Sequence, residues 1–157
     1  MKRFVALYFL YLIILFILFY TEASILATFI NTEQTKLTLF FLDIFLPTEQ
    51  IQGVDIWISP QYKIIINQAC NGIIPILFLF ASILAYPSLL WHKVVWMGIG
   101  YLTFSLVNVF RILLVVYFVE QEGGKENFYW SHDIIGNALL MSVGLGLFIA
   151  FIKLSKK

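Results

Sequence analysis

The chain has 157 residues, of which 61% are hydrophobic, 18% aromatic and 12% charged, with a formal net charge of +1. A soluble domain carries roughly 25% charged residues, so this composition excludes an ordinary water-soluble fold, and no nucleic-acid partner is expected. The length fits one integral-membrane domain over residues 1–157, all-α, with about four transmembrane helices, an interfacial helix and a small extracytoplasmic β-hairpin.

The first span starts after Lys2 and Arg3 and runs from Phe4 to about Tyr20, or on to Ile30. A basic start and an apolar run also suit a secretory signal peptide. This run is longer than a usual signal core and lacks an immediate small-x-small site, which favours an uncleaved anchor. The stretch Leu37 to Leu46 is too short to cross and is interrupted by Asp43, so it reads as an interfacial or partly inserted helix. It falls within an extracytoplasmic segment of about residues 31–69. Ile51 to Ile58 and Tyr62 to Ile66 are rich in β-branched residues on either side of Ser59-Pro60-Gln61, which predicts the β-hairpin.

The second span covers about residues 71–86 and is broken by Pro87. A connection from Ser88 to Lys93 leads to the third span, 94–119, with His92 expected as a solvated loop residue without a role. Glu120 to Tyr129 is a polar outer loop, and the fourth span covers 134–152. Trp91, Trp96, Tyr129 and Trp130 fall where interfacial aromatic belts are expected. Lys2, Arg3, Lys93, Lys153, Lys156 and Lys157 gather at one set of helix ends, and every Asp and Glu falls on the other side. The excess of Lys and Arg marks the cytoplasmic face. The reading is therefore a multi-pass protein of the plasma (inner) membrane with both termini cytoplasmic.

Three residues in separate apolar runs carry chemistry. Cys70, the single cysteine, lies in Ala69-Cys70-Asn71-Gly72; Arg111 lies in Asn108-Val109-Phe110-Arg111; His132 opens the last run, with Gly136 one turn on. Cys70 lies 17 residues before Pro87, Arg111 18 after Lys93 and His132 21 before Lys153. At about 1.5 Å per residue these are depths of about 25, 27 and 31 Å from the cytoplasmic side. All three reach one layer near the outer surface.

Each has a plainer reading. A lone cysteine is most often a small inert hydrophobe, and His132 alone is as easily an ordinary interfacial histidine. An arginine inside an apolar span is different, because insertion costs roughly 2.5–3.5 kcal/mol. Tyr101, Ser105, Asn108 and Arg111 share one sector of a helix, which predicts a polar inner face on which Asn108 bonds Arg111. One cysteine and two histidines on opposite membrane faces match no zinc spacing, so neither metal nor cofactor is expected.

The trio suits nucleophilic acyl transfer. A thiol needs a base or a positive charge to ionise; His132 can exchange its proton, and Arg111 can stabilise thiolate or oxyanion. The rivals are a membrane scaffold or assembly factor, with Arg111 paired to an acid such as Glu120 or Asp133, and a small anion transporter subunit using Arg111.

Cys70-Asn71-Gly72, Asn108-Val109-Phe110-Arg111 and His132, in that order and membrane context, resemble the exosortase/archaeosortase family. The likeness covers roughly residues 61–147 and matches a short, single-core exosortase; Asn71 stands where many members have Ser. It implies a membrane-embedded cysteine transpeptidase with catalytic Cys70, Arg111 and His132 at the extracytoplasmic face, and with Asn71, Gly72, Asn108 and Gly136 as substrate-binding or supporting residues. Its substrates would be membrane-anchored proteins with a C-terminal sorting tail of short motif, transmembrane helix and basic end. The passenger would pass through a Cys70 thioester to a surface acceptor.

Overall fold

A computed structural model of the chain describes residues 2–21, 24–60, 62–121 and 129–155. In chain order these form α1 (Lys2–Phe19), α2 (Ile25–Phe45), three short strands β1 (Ile51–Gln52), β2 (Asp55–Ser59) and β3 (Tyr62–Ile65), and a 3₁₀ turn at Gln68–Asn71. Then come α3 (Ile73–Ala85), α4 (Leu90–Gln121), a π-helical segment (Tyr129–Gly136) and α5 (Asn137–Ser155). Among the described residues, Lys2–Phe19, Leu90–Glu120 and Ile134–Ser155 are long and apolar enough to cross a bilayer. Of the four expected spans, α3 alone falls short of that length. Its 13 residues give about 20 Å of helix, against a hydrocarbon core of about 30 Å.

The expected option of one span from Phe4 to Ile30 is overturned. Helix α1 stops at Phe19, where the Tyr20 and Thr21 amides both donate to the Phe16 carbonyl. The Thr21 hydroxyl then donates to Ile17 O at 2.7 Å and the Ser24 hydroxyl to Leu18 O at 2.6 Å. Ser24 Oγ also caps α2 by accepting from the Ala27 amide. Hydroxyls that offer the backbone such alternatives favour helix ends over continued helix.

The helix expected at Leu37 to Leu46 is longer than expected: residues 37–45 form the second half of α2, 21 residues long, and Leu46 is its C-cap. Its buried side chains are Ala27, Gln34, Thr38 and Leu42, spaced to lie along one helix face. Gln34 bonds Ser105 of α4, the later helix that carries Asn108 and Arg111, while Lys36 and Glu33 pair on the exposed side. The polar residues Gln34 and Thr38 therefore belong to a packed face.

The expected hairpin is present as β2 and β3, joined by β1 into an antiparallel three-stranded sheet of order β1-β2-β3. Ile56 pairs with Ile64 across it, and both are buried. These isoleucines, with Ile66, pack against Leu42 of α2, Val109, Ile112, Val115, Val116 and Val119 of α4, and Cys70. The sheet thus closes the outer side of the layer that contains the thiol.

The inner half is packed by rings. Phe151 is fully buried among Tyr86, His92, Trp96 and Phe148. His92 is therefore not a solvated loop residue. The connection after α3 is only residues 86–89, α4 begins at Leu90, and the His92 ring stacks on Phe151 at 5.2 Å. Trp96 likewise packs inward, while Trp91 and Trp130 are exposed. The short turn is tied by Lys93, whose Nζ donates to Leu84 O at 2.7 Å, a cation on the closing carbonyls of a helix. Most of the expected Glu120–Tyr129 loop lies outside the described residues.

Candidate active site

Cys70 sits in the 3₁₀ turn between the sheet and α3, and its amide donates to Asn67 O at 2.9 Å. Gly72 ends the turn with φ +68 and provides the N-cap of α3. Glycine suits that left-handed backbone without strain. It also lets α4 come close. A Cβ at position 72 would lie 3.0 Å from Asn108 Oδ1 and 3.1 Å from Asn108 Cγ. The Cys-x-Gly and Asn-x-x-Arg segments are thus docked on one another.

Asn108 and Arg111, three residues apart, share a face of α4. Contrary to the expected bond between them, both turn to the same acceptor. Asn108 Nδ2 donates to Cys70 O at 2.8 Å and Arg111 Nη2 donates to it at 3.2 Å. Asn108 is 0% and Arg111 2% exposed. An amide and a guanidinium on one carbonyl give each buried side chain a partner there and fix the peptide unit of the cysteine.

On the opposite side His132 projects from the π-helical segment, with Nε2 3.8 Å from Cys70 Sγ. Insertions of π-helix are frequent at functional sites because the wider turn re-aims side chains. Gly136, buried at the end of that segment, stands where α5 begins. Burial pushes the Cys70 thiol up, but the hydrogen bond with His132 lowers it. A backbone hydrogen bond at Asn67 and the charges of His132 and Arg111 lower it further, for a net depression below the usual thiol value. The depression is what a nucleophilic thiol needs near neutral pH.

Residues on α2 complete the setting, and sequence reasoning passed over them. Asn71, 0% exposed, donates through Nδ2 to Asn31 Oδ1, and to Thr35 Oγ1 at 2.8 Å. Gln34 bonds Ser105 at 3.2 Å and receives the Tyr101 hydroxyl at 2.7 Å. The readable signal was the spacing Asn31, Gln34, Thr35, Thr38, one polar stripe at helical period.

Beneath the thiol layer, α3, α4 and α5 line a half-open, largely apolar cavity of ≈ 530 Å³. Gly72, Arg111 and Asn137 line one end and Ser82 and Phe148 the other. Cys70 and His132 do not line it; Arg111 is the link between cavity and thiol layer. The single cysteine, the clamped carbonyl and the imidazole form an arrangement able to activate a thiol in a dry, positively charged setting.

No curated protein and no solved structure matches the chain. The family model described as transmembrane exosortase (Exosortase_EpsH) matches residues 1–150, nearly its whole length, and the chain accordingly belongs to the transmembrane exosortase family.

Proposed function

We propose that this protein is a membrane-embedded cysteine transpeptidase that removes a C-terminal sorting tail and transfers the passenger protein to a surface acceptor. Members of the family act on membrane-associated substrates bearing sorting signals. The observation that carries the reading is the 3.8 Å approach of Cys70 Sγ to His132 Nε2, beside a Cys70 carbonyl held by Asn108 and Arg111.

In the proposed reaction His132 takes the thiol proton, and the thiolate attacks the scissile carbonyl. The negative charge that develops on the carbonyl oxygen is met by Arg111, which lines the adjoining cavity. The C–N bond then breaks, His132 returns the proton to the leaving amine, and the passenger remains as a Cys70 thioester. An acceptor amine or other nucleophile attacks the thioester and regenerates the thiol. Asn71, Gly72, Asn108 and Gly136 support the geometry without entering the bond changes. With the basic helix ends cytoplasmic, both termini face the cytoplasm and the reaction takes place at the extracytoplasmic face. No step requires a metal or cofactor.

The test is Cys70→Ala in cells carrying a tagged protein with a motif, an apolar helix and a basic tail. Processing should stop while the variant accumulates normally. Removal of the tail at the normal rate would overturn the reading.

A further inference from the structure

The turn Gln68–Asn71 is held from several directions at once. The end of α1 accepts a bond from Gln68 Nε2 at Tyr20 O, 2.8 Å. Helix α4 holds the Cys70 carbonyl through Asn108 and Arg111. Helix α2 holds the next side chain, because Asn71 Nδ2 meets Asn31 Oδ1, Asn31 O and Thr35 Oγ1. The Thr35 hydroxyl in turn donates to Asn31 O at 2.9 Å, so the acceptors on α2 are themselves oriented. A four-residue 3₁₀ turn has few internal bonds and little stiffness of its own. Fixing one carbonyl leaves the turn free to pivot about that point; fixing the following side chain from another helix removes the pivot.

We propose that Asn31 and Thr35 of α2 are positioning residues for Cys70, gripping the Asn71 amide so that the sulfur stays against His132 while α4 holds the carbonyl. This rests on the cysteine-transpeptidase reading, since it assigns α2 a part in aiming that nucleophile. Neither residue touches the thiol. Their action passes through Asn71, which is fully buried and would otherwise carry unsatisfied donors.

Nearby, the Gln34–Ser105–Tyr101 network joins the same two helices at comparable burial without a bond to the turn. It is a control built into the fold. Tyr101→Phe removes a hydrogen bond between α2 and α4 of the same kind, so it reports the cost of loosening the helices alone.

Because Cys70 is the single cysteine, its reactivity is read directly on the full chain in detergent micelles by alkylation with iodoacetamide across pH. The charged and titratable groups acting on the thiol are His132 and Arg111, and both stay in place in the variants. Thr35→Val and Asn31→Leu should raise the midpoint by roughly one pH unit, which means roughly tenfold less thiolate below both midpoints. Thr35→Ser should restore the wild-type midpoint, and Tyr101→Phe should leave it alone even where it lowers the unfolding temperature. In an Asn71→Ala background Thr35→Val should add nothing, because a residue acting through a partner has no effect once the partner is gone.

Unchanged profiles in Thr35→Val and Asn31→Leu would overturn the proposal, as would an equal shift in Tyr101→Phe or a Thr35→Val shift that persists without Asn71. Should one α2 variant fail to fold, the other still decides. Normal tail processing by Cys70→Ala would sink the transpeptidase reading and leave these profiles meaningful. Unchanged profiles together with an inactive Cys70→Ala would sink only the positioning role.

Discussion

The outer and inner halves of the helix bundle are held by different physics. Around Cys70, position is set by directed bonds: Asn108 and Arg111 on one carbonyl, Asn31 and Thr35 on one amide, His132 on the sulfur. Around Phe151, position is set by rings from Tyr86, His92, Trp96 and Phe148 packed face and edge. Ring contacts tolerate small shifts because dispersion is spread over many atoms. A shared carbonyl or amide does not, since a hydrogen bond weakens steeply with distance and angle. The two halves should therefore fail differently when altered, the outer one in chemistry and the inner one in stability.

The largest effect is expected at Arg111. Arg111→Lys keeps the charge that depresses the thiol but loses the planar fork that reaches both the Cys70 carbonyl and the cavity. Tail processing should fall by roughly 10²–10³-fold, the size of effect seen when one donor to a developing oxyanion is removed. The alkylation midpoint of Cys70 should move far less. Full activity in Arg111→Lys would mean that charge alone matters, and the contrast drawn between the halves would lose its strongest case.

His132 gives the next effect, and its sign follows from the thiol. The hydrogen bond and charge of His132 both lower the Cys70 thiol, so His132→Ala should move the alkylation midpoint upward. At neutral pH the variant should be slow, and raising the pH should recover part of the rate as the thiol ionises without help. A midpoint that stays put would show that the 3.8 Å approach has no influence on ionisation.

Phe151→Ala tests the other half. Removing a fully buried ring typically costs about 3–5 kcal/mol, and the unfolding temperature in micelles should drop clearly. At temperatures where the variant is folded, the Cys70 profile should match wild type. A shifted profile would show that the halves are coupled along α4, which contributes Arg111 to one and Trp96 to the other.

What could be read from the sequence divides along the same line. Depth along a helix is linear in residue number, so Cys70, Arg111 and His132 could be put in one layer by counting. The structure brings the His132 imidazole to the Cys70 sulfur and the Arg111 guanidinium to the Cys70 carbonyl. Direction is not linear. Asn108 and Arg111 were expected to bond each other, yet both turn to a backbone carbonyl on a different element, and no local pattern specifies that. Helix α2 was cut short for a related reason: run length and Asp43 set its limits in sequence, whereas Asn31, Gln34 and Thr35 are placed by partners far away in sequence. The hairpin was legible because β-branched alternation is local, whereas the break of its expected first arm, Ile51 to Ile58, into β1 and β2 was not. His92 was misplaced because the α3–α4 connection is shorter than the spacing of Pro87 and Lys93 suggested.

The smallest effect should come from the outermost ion pair. Lys63 bonds Asp55 across the β2–β3 ladder and also lies over the Trp57 ring at 5.4 Å. Both charged side chains are partly exposed, at 39% and 22%, and pairs of that kind contribute at most about 1 kcal/mol. The seal over the thiol is made by the opposite face of the sheet, where Ile56 and Ile64 are buried against α4. Lys63→Ala should therefore leave the Cys70 profile unchanged and lower stability by no more than about 1 kcal/mol. Ile64→Ser, on the sealing face, should admit water and speed alkylation at a given pH by exposing the sulfur. If Lys63→Ala instead speeds alkylation as much as Ile64→Ser, the sheet is held over the site by its exposed pair, and the division between directed bonds at the thiol and apolar packing around it must be redrawn.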